Sequence, residues 1–236
     1  KAMAAAAPKL KLMQVPGAGL DRIDRDAARP GLQLANVYGH EAGIAEYVIG
    51  AMIALTRSFS AQDRQLREGV WDSQFAVGRP PPALLPELAG KTLVILGFGH
   101  IGQAIAKRAA AFDMDVVAVR RNVADVGCGA RVVGPEAVDE MLAAADHVAV
   151  TLPLTDATRG MVDGRRLGLM KPTAVLVNVG RGEIVDETAL YEALRDKTIG
   201  GAAIDVWYRY PTTAEPTLPS VLPFHELDNV IMTPHA

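Results

Sequence analysis

The stretch Leu93-Val94-Ile95-Leu96-Gly97-Phe98-Gly99-His100-Ile101-Gly102-Gln103-Ala104-Ile105-Ala106 decides the fold. Four apolar residues in a row read as a strand buried on both faces. Gly97 to Gly102 read as a tight turn, and Ile101 onward as a helix. With 22 glycines in the chain, a Gly-x-Gly-x-x-Gly string alone is weak evidence. Its position between a strand and a helix makes it specific, because the three glycines then serve a tight turn, close backbone approach to a pyrophosphate, and close helix–strand packing. The helix start adds free N–H groups and a positive dipole end. Gly97, Gly99, His100, Ile101 and Gly102 are therefore read as a dinucleotide cradle.

Downstream of the loop, apolar segments at 92–96, 115–119, 147–151, 174–178, 201–206 and 230–233 alternate with helical patterns at 101–112, 135–144, 164–170 and 187–195. Such alternation means βαβ units, so the predicted fold is α/β, a Rossmann-like doubly wound parallel sheet. Upstream, 9–15 and 32–37 read as strands around a turn at Pro16–Gly19 and a short helix at 21–28. One helix runs from Gly43 to about Gly69, and a proline-rich connector follows at 78–86.

The second strand of the alternation bears on the cofactor. A nicotinamide dinucleotide without a 2′-phosphate calls for an acid at its end, where the ribose hydroxyls lie. Here Val116-Val117-Ala118-Val119 is followed by Arg120 and Arg121. Two guanidiniums can clamp a 2′-phosphate, so NADP is favoured, with NAD as the alternative.

Composition narrows the remaining classes. The chain has 236 residues, half of them apolar, and a net charge of −3. That is enough for one large α/β domain, or one domain and part of a second. No run of five basic residues occurs, so nucleic acid is not an expected partner. The apolar run Ile44–Leu55 is interrupted by Glu46 and too short to span a bilayer, so no membrane is expected. The start, Lys1–Pro8, reads as a surface helix end rather than a signal peptide. The single cysteine, Cys128, sits in a glycine-rich turn without a neighbouring histidine; it fits a reducing cytoplasm and is not read as a nucleophile. No metal site is read.

Several strings, taken together, resemble the D-isomer-specific 2-hydroxyacid dehydrogenase family, which includes formate and phosphite dehydrogenases. They are Gly17-Ala18-Gly19-Leu20-Asp21-Arg22-Ile23-Asp24, Ala45-Glu46-Tyr47, Leu152-Pro153-Leu154-Thr155, Asn178-Val179-Gly180-Arg181-Gly182-Glu183-Ile184-Val185-Asp186, Ala203-Ile204-Asp205-Val206-Trp207 and Thr233-Pro234-His235. They follow in order over nearly the whole chain. The resemblance implies hydride transfer between a nicotinamide cofactor and a small 2-keto or 2-hydroxy acid, such as glyoxylate or hydroxypyruvate. It divides the chain into 1–44, a remnant of a flavodoxin-like substrate domain, and 45–236, the dinucleotide-binding domain. An arm at about 60–86, with Trp71 and Phe75 as anchors, implies a homodimer; the same two rings could instead cap the domain's own core.

The implied site residues make chemical sense. Arg181 would hold a substrate carboxylate and polarise the keto oxygen, and His235 would be the general acid–base. The N–H groups of Ala18 and Gly19 would hold the carboxylate from across the cleft. Asp205 would face the nicotinamide carboxamide, with Leu152, Pro153, Thr158, Val179, Gly180, Arg181 and His235 as further cofactor contacts.

Two departures stand out. The family places a Glu 29 residues after the arginine, paired with the histidine; here that position is Tyr210, which adds no negative charge, and Glu215 or Glu226 are alternatives from the same loop. That loss opens a formate- or phosphite-type oxidation as a second reading. A third is a dinucleotide-sensing binding protein like the transcriptional co-repressors of this fold. The second departure is length: the family's first substrate-domain stretch and its closing segment are missing, which suits a trimmed chain.

Overall fold

The computed structural model describes residues 7, 9–20, 23, 30–78, 80–123, 127 and 129–235. The expectations for Cys128, for the N-terminal helix end and for the helix at 21–28 (Ile23 apart) lie outside them.

Seven parallel strands form the main sheet: β3 (Thr92–Leu96), β4 (Asp115–Val119), β5 (Arg131–Val133), β6 (His147–Val150), β7 (Val175–Asn178), β8 (Gly201–Ile204) and β9 (Val230–Met232). Their order is β5-β4-β3-β6-β7-β8-β9, so the winding reverses between β3 and β6. Ligands of open α/β sheets bind at such a reversal, beyond the carboxyl ends of the strands.

Period-two alternation within each strand builds a core on either face. Leu93 and Ile95 of β3, with Val116 and Ala118 of β4, pack under α1 (Glu41–Thr56) and α3 (His100–Ala110). Val94, Leu96, Val117 and Val119 point the other way. They meet α4 (Val138–Ala144), α5 (Gly164–Leu167) and α6 (Glu187–Arg195). A separate two-stranded parallel sheet joins β1 (Leu12–Gln14) to β2 (Gln33–Ala35).

Three expectations need correction. The segment at 131–133 forms a strand, β5, that the apolar pattern does not reveal; it pairs with β4, at the sheet edge. The helix expected from 43 to 69 is broken after Thr56 and resumes as α2 (Phe59–Arg67). The break is Ser58, whose φ of 51° is left-handed and ends the α1 hydrogen-bond ladder. Trp71 and Phe75 do not cap the core: they are 59% and 80% exposed. Among the described residues no single helix is long and apolar enough to cross a membrane.

Among the described residues, His147 is a core residue with a polar atom left unpartnered. His147 opens β6 with 4% of its surface exposed, and its Nδ1 has no hydrogen-bond partner among the described residues. Burial pushes the imidazole down to about 4, a shift that neighbouring Asp146 opposes and Lys91 assists.

Candidate active site

The sheet register sets the site. Val119, Leu96, Val150, Asn178, Ile204 and Met232 lie in one row across six strands. The residues picked out from the sequence follow this row by one to three positions: Gly97, Arg120, Leu152, Val179 to Arg181, Asp205, and Thr233 to His235. A row of strand ends thus delivers them all to one edge of the sheet.

The loop after β3 has the shape that a pyrophosphate cradle needs. Gly97 has φ +99°, and a side chain there would meet the Leu152 nitrogen and Thr151 Oγ1, both at 3.0 Å. Gly102 has no room either: an added Cβ would lie 2.5 Å from the Gly97 carbonyl oxygen. This close approach presses α3 against the turn. At Gly99, by contrast, nothing lies within 4 Å of where a Cβ would project, and Gly99 caps the N-terminus of α3. Open space above the N–H groups of a helix start fits a dinucleotide phosphate.

His100 and Ile101 face a cleft of about 170 Å³ that also takes in Ala18, Tyr38, His40 and Thr151. The His100 and Tyr38 rings lie 4.8 Å apart. The segment around Ala18 is therefore brought against the glycine loop. Asn36 supports it by donating from Nδ2 to the Ala18 carbonyl at 3.0 Å, and Gly19 is exposed beside it. On the far side of the phosphate loop, Arg120 follows β4 half-buried, its N–H donating to Val133, with Arg121 exposed next to it. Thr158 turns its hydroxyl onto the Pro153 carbonyl at 2.7 Å and so shapes the loop after β6.

After β7 the chain is clamped by Asn178. Its Oδ1 accepts from the Gly180 N–H at 3.1 Å, and its Nδ2 donates to the Arg181 carbonyl at 3.0 Å. Arg181 Nη1 donates to the Gly180 carbonyl at 2.7 Å. The next residue, Gly182, lies against the backbone of Trp207, where a Cβ would come within 2.7 Å. Arg181 is thereby tied to the loop that follows β8.

That loop carries the second half of the site. Trp207 donates its indole N–H to the Thr233 carbonyl at 2.7 Å and its backbone N–H to Tyr210 Oη at 3.3 Å. Tyr210 Oη lies 2.8 Å from His235 Nδ1. Glu226 instead lies beside His225 at 4.0 Å, and Glu215 sits on an exposed turn. Asp205 is buried and accepts from Thr233 Oγ1 at 2.6 Å. The same hydroxyl is 2.8 Å from Tyr47 Oη, and burial holds that phenol above its ordinary range. A chain of hydrogen bonds thus runs from α1 to the acidic group expected at the nicotinamide. At its base the loop is pinched by the Arg209 N–H, which donates to the Pro219 carbonyl at 3.0 Å.

Asn36, Asn178 and the Tyr47–Thr233 pair are supports that the sequence does not announce. Each works through a contact that the order of residues leaves hidden; Asn178, Tyr47 and Thr233 carry a signal, since they stand inside the motif strings, and Asn36 carries none.

Comparisons with known proteins agree with this architecture. Residues 49–236 match the family described as D-isomer specific 2-hydroxyacid dehydrogenase, NAD binding domain. Glyoxylate reductase from Pyrococcus furiosus is 36% identical over 234 residues, covering 97% of this chain and 67% of that protein. A D-isomer specific 2-hydroxyacid dehydrogenase family protein from Aeromonas salmonicida superposes with a TM-score of 0.84 at 34% identity, over 99% of this chain and 71% of that one. An NADPH-dependent glyoxylate/hydroxypyruvate reductase from Sinorhizobium meliloti, solved with NADP and sulfate, gives a TM-score of 0.81 at 26% identity, over 97% and 69%. The chain spans about two thirds of such reductases, and 42% of the D-3-phosphoglycerate dehydrogenase from Methanocaldococcus jannaschii. By motif, fold and family match, the chain belongs to the D-isomer specific 2-hydroxyacid dehydrogenases, of which it carries the NAD-binding domain.

Proposed function

We propose that this chain transfers hydride between NADPH and a small 2-keto or 2-hydroxy acid of the glyoxylate or hydroxypyruvate kind. The observation that carries the proposal is the single row of strand ends, which delivers the phosphate loop, Arg181, Asp205 and His235 to one edge. When bound, the dinucleotide supplies or accepts the hydride. The chain's own groups do the rest. Arg181 holds the carboxylate and draws electron density onto the keto oxygen, and the N–H groups at Ala18 and Gly19 hold the carboxylate from across the cleft. His235 gives a proton to that oxygen in reduction and removes it in oxidation. Gly97, Gly99, His100, Ile101, Gly102, Leu152, Pro153, Thr158, Val179 and Gly180 line the cofactor, and Asp205 faces the nicotinamide carboxamide.

Arg120 and Arg121 support NADP over NAD, since they offer cations where a 2′-phosphate would lie. In an assay of a 2-keto acid panel, NADPH oxidation is expected to outpace NADH oxidation. Arg120→Asp should cut kcat/KM for NADPH about tenfold to a hundredfold. Equal rates with both cofactors, before and after the substitution, would count against the assignment.

The contact of Tyr210, in place of a carboxylate, with His235 favours one second reading, oxidation of formate, which needs only hydride transfer, or of phosphite, in which water attacks phosphorus and His235 takes its proton. Turnover of either anion, with none of the keto acids, decides for it. A homodimer and a cytoplasmic location belong to the same proposal, the latter resting on the single cysteine. Trp71 and Phe75, exposed on the arm, are the expected dimer anchors. Light scattering should give a dimer that Trp71→Ser with Phe75→Ser converts to monomer; a monomeric parent chain sinks the idea.

A further inference from the structure

His235 follows the end of β9 by three residues, and its neighbours there are tied down. The Thr233 N–H donates to the Ile204 carbonyl, and the Trp207 indole holds the Thr233 carbonyl from the other side. His235 itself turns with φ +64°. Its Nδ1 then meets the Tyr210 hydroxyl at 2.8 Å, with the rings inclined at 55°. Tyr210 Oη also faces the Trp207 backbone N–H, which can only donate.

The direction of the Tyr210–His235 bond follows from acidity. A phenol, with a pKa near 10, is a far stronger donor than a neutral imidazole N–H, and an unprotonated imidazole nitrogen is a stronger acceptor than a phenol oxygen. The favoured arrangement is O–H to Nδ1, with the Trp207 N–H resting on the oxygen's lone pair. A carboxylate at position 210 would impose the reverse, because it can only accept and therefore needs Nδ1–H.

We propose that Tyr210 is a positioning residue that holds neutral His235 in its Nε2–H tautomer, with Nδ1 as acceptor. This deepens the acid–base role proposed above and rests on it. The nitrogen on the far side of the ring from Tyr210 then carries a proton without the ring being charged. It can donate a hydrogen bond to an oxygen on the substrate even when His235 is neutral. Transfer of a proton instead starts from the imidazolium, in which Nδ1–H turns to donate to the Tyr210 oxygen, and the ring ends neutral. Removal of a proton from a hydroxy acid, by contrast, requires Nε2 to be bare, which the Tyr210 bond disfavours. The arrangement fixes which ring nitrogen faces the substrate and in which form the neutral ring waits. Other ionisable groups at this edge include Asp205 and Tyr47, both reached through Thr233, Arg181 on the loop after β7, and, further along the row, Arg120 and His100.

The test reads the tautomer directly, without substrate or cofactor. Long-range proton–nitrogen correlation spectra of the ¹⁵N-histidine-labelled chain, at a pH where the rings are neutral, distinguish protonated from bare ring nitrogens. The His235 signals are identified by their loss in His235→Gln. The parent chain should show Nδ1 bare and Nε2 protonated, with almost no second form. Tyr210→Phe should relax this to a measurable mixture, and Tyr210→Glu should protonate Nδ1. Unchanged signals from the other histidines would show that the variants fold. A protonated Nδ1 in the parent, or identical His235 signals in all three proteins, would overturn the proposal. A correct tautomer without any keto-acid turnover would instead count against the acid–base role.

Discussion

Arg181→Ala is expected to lower kcat/KM for a 2-keto acid on the order of a thousandfold. The guanidinium is the strong cation of the loop after β7, and two parallel hydrogen bonds to a carboxylate require its planar fork. The loop itself should survive the change. Asn178 holds it from both sides of Gly180, and Gly182 is seated against Trp207. NADPH affinity, measured by fluorescence, should therefore fall much less than turnover. Arg181→Lys keeps the charge but loses the fork, so it should recover only a small part of the activity. An alanine variant with more than a tenth of the parent kcat/KM would remove Arg181 from the substrate site.

The second large effect concerns stability. His147 is buried, and its imidazole is held down to about 4, whereas in the unfolded chain it titrates near 6.5. Between these values the unfolded chain takes up a proton that the folded one refuses. Stability is therefore full above about pH 6.5 and declines as pH falls toward 4. The shift corresponds to about 3 kcal/mol at most. His147→Leu removes both the titration and the unpartnered Nδ1. Urea midpoints measured across this range should fall less steeply for the variant than for the parent. Parallel pH profiles would show that the acid sensitivity comes from elsewhere, such as the Lys171–Asp146 ion pair beside it.

Much of this molecule is legible in its sequence because its signals are local. Runs such as Leu93–Leu96 and Val116–Val119 are too apolar for anything but strands covered on both faces, and the glycine loop between strand and helix fixes the winding. β5 is hidden because an edge strand of three residues, Arg131-Val132-Val133, carries too little periodicity. The break at Ser58 is hidden because a serine in left-handed conformation has no signature of its own. The site divides in the same way. Arg181 and His235 stand inside motif strings, and Tyr210 lies at a fixed spacing from the arginine. Tyr47, Thr233 and Asp205 stand inside such strings too, but the hydrogen bonds that link them are not marked, since they join residues up to 186 positions apart.

The pinch between Arg209 and Pro219 has a practical corollary. Residues 211–218 form an exposed bight beyond it, while Trp207 and Tyr210, which brace His235, stay at or near the knot. The bight can therefore be exchanged as a cassette, of different length or charge, without loosening the His235 ring. A library built between those two tie points would vary the bight alone and leave the hydrogen bonds around His235 as they are.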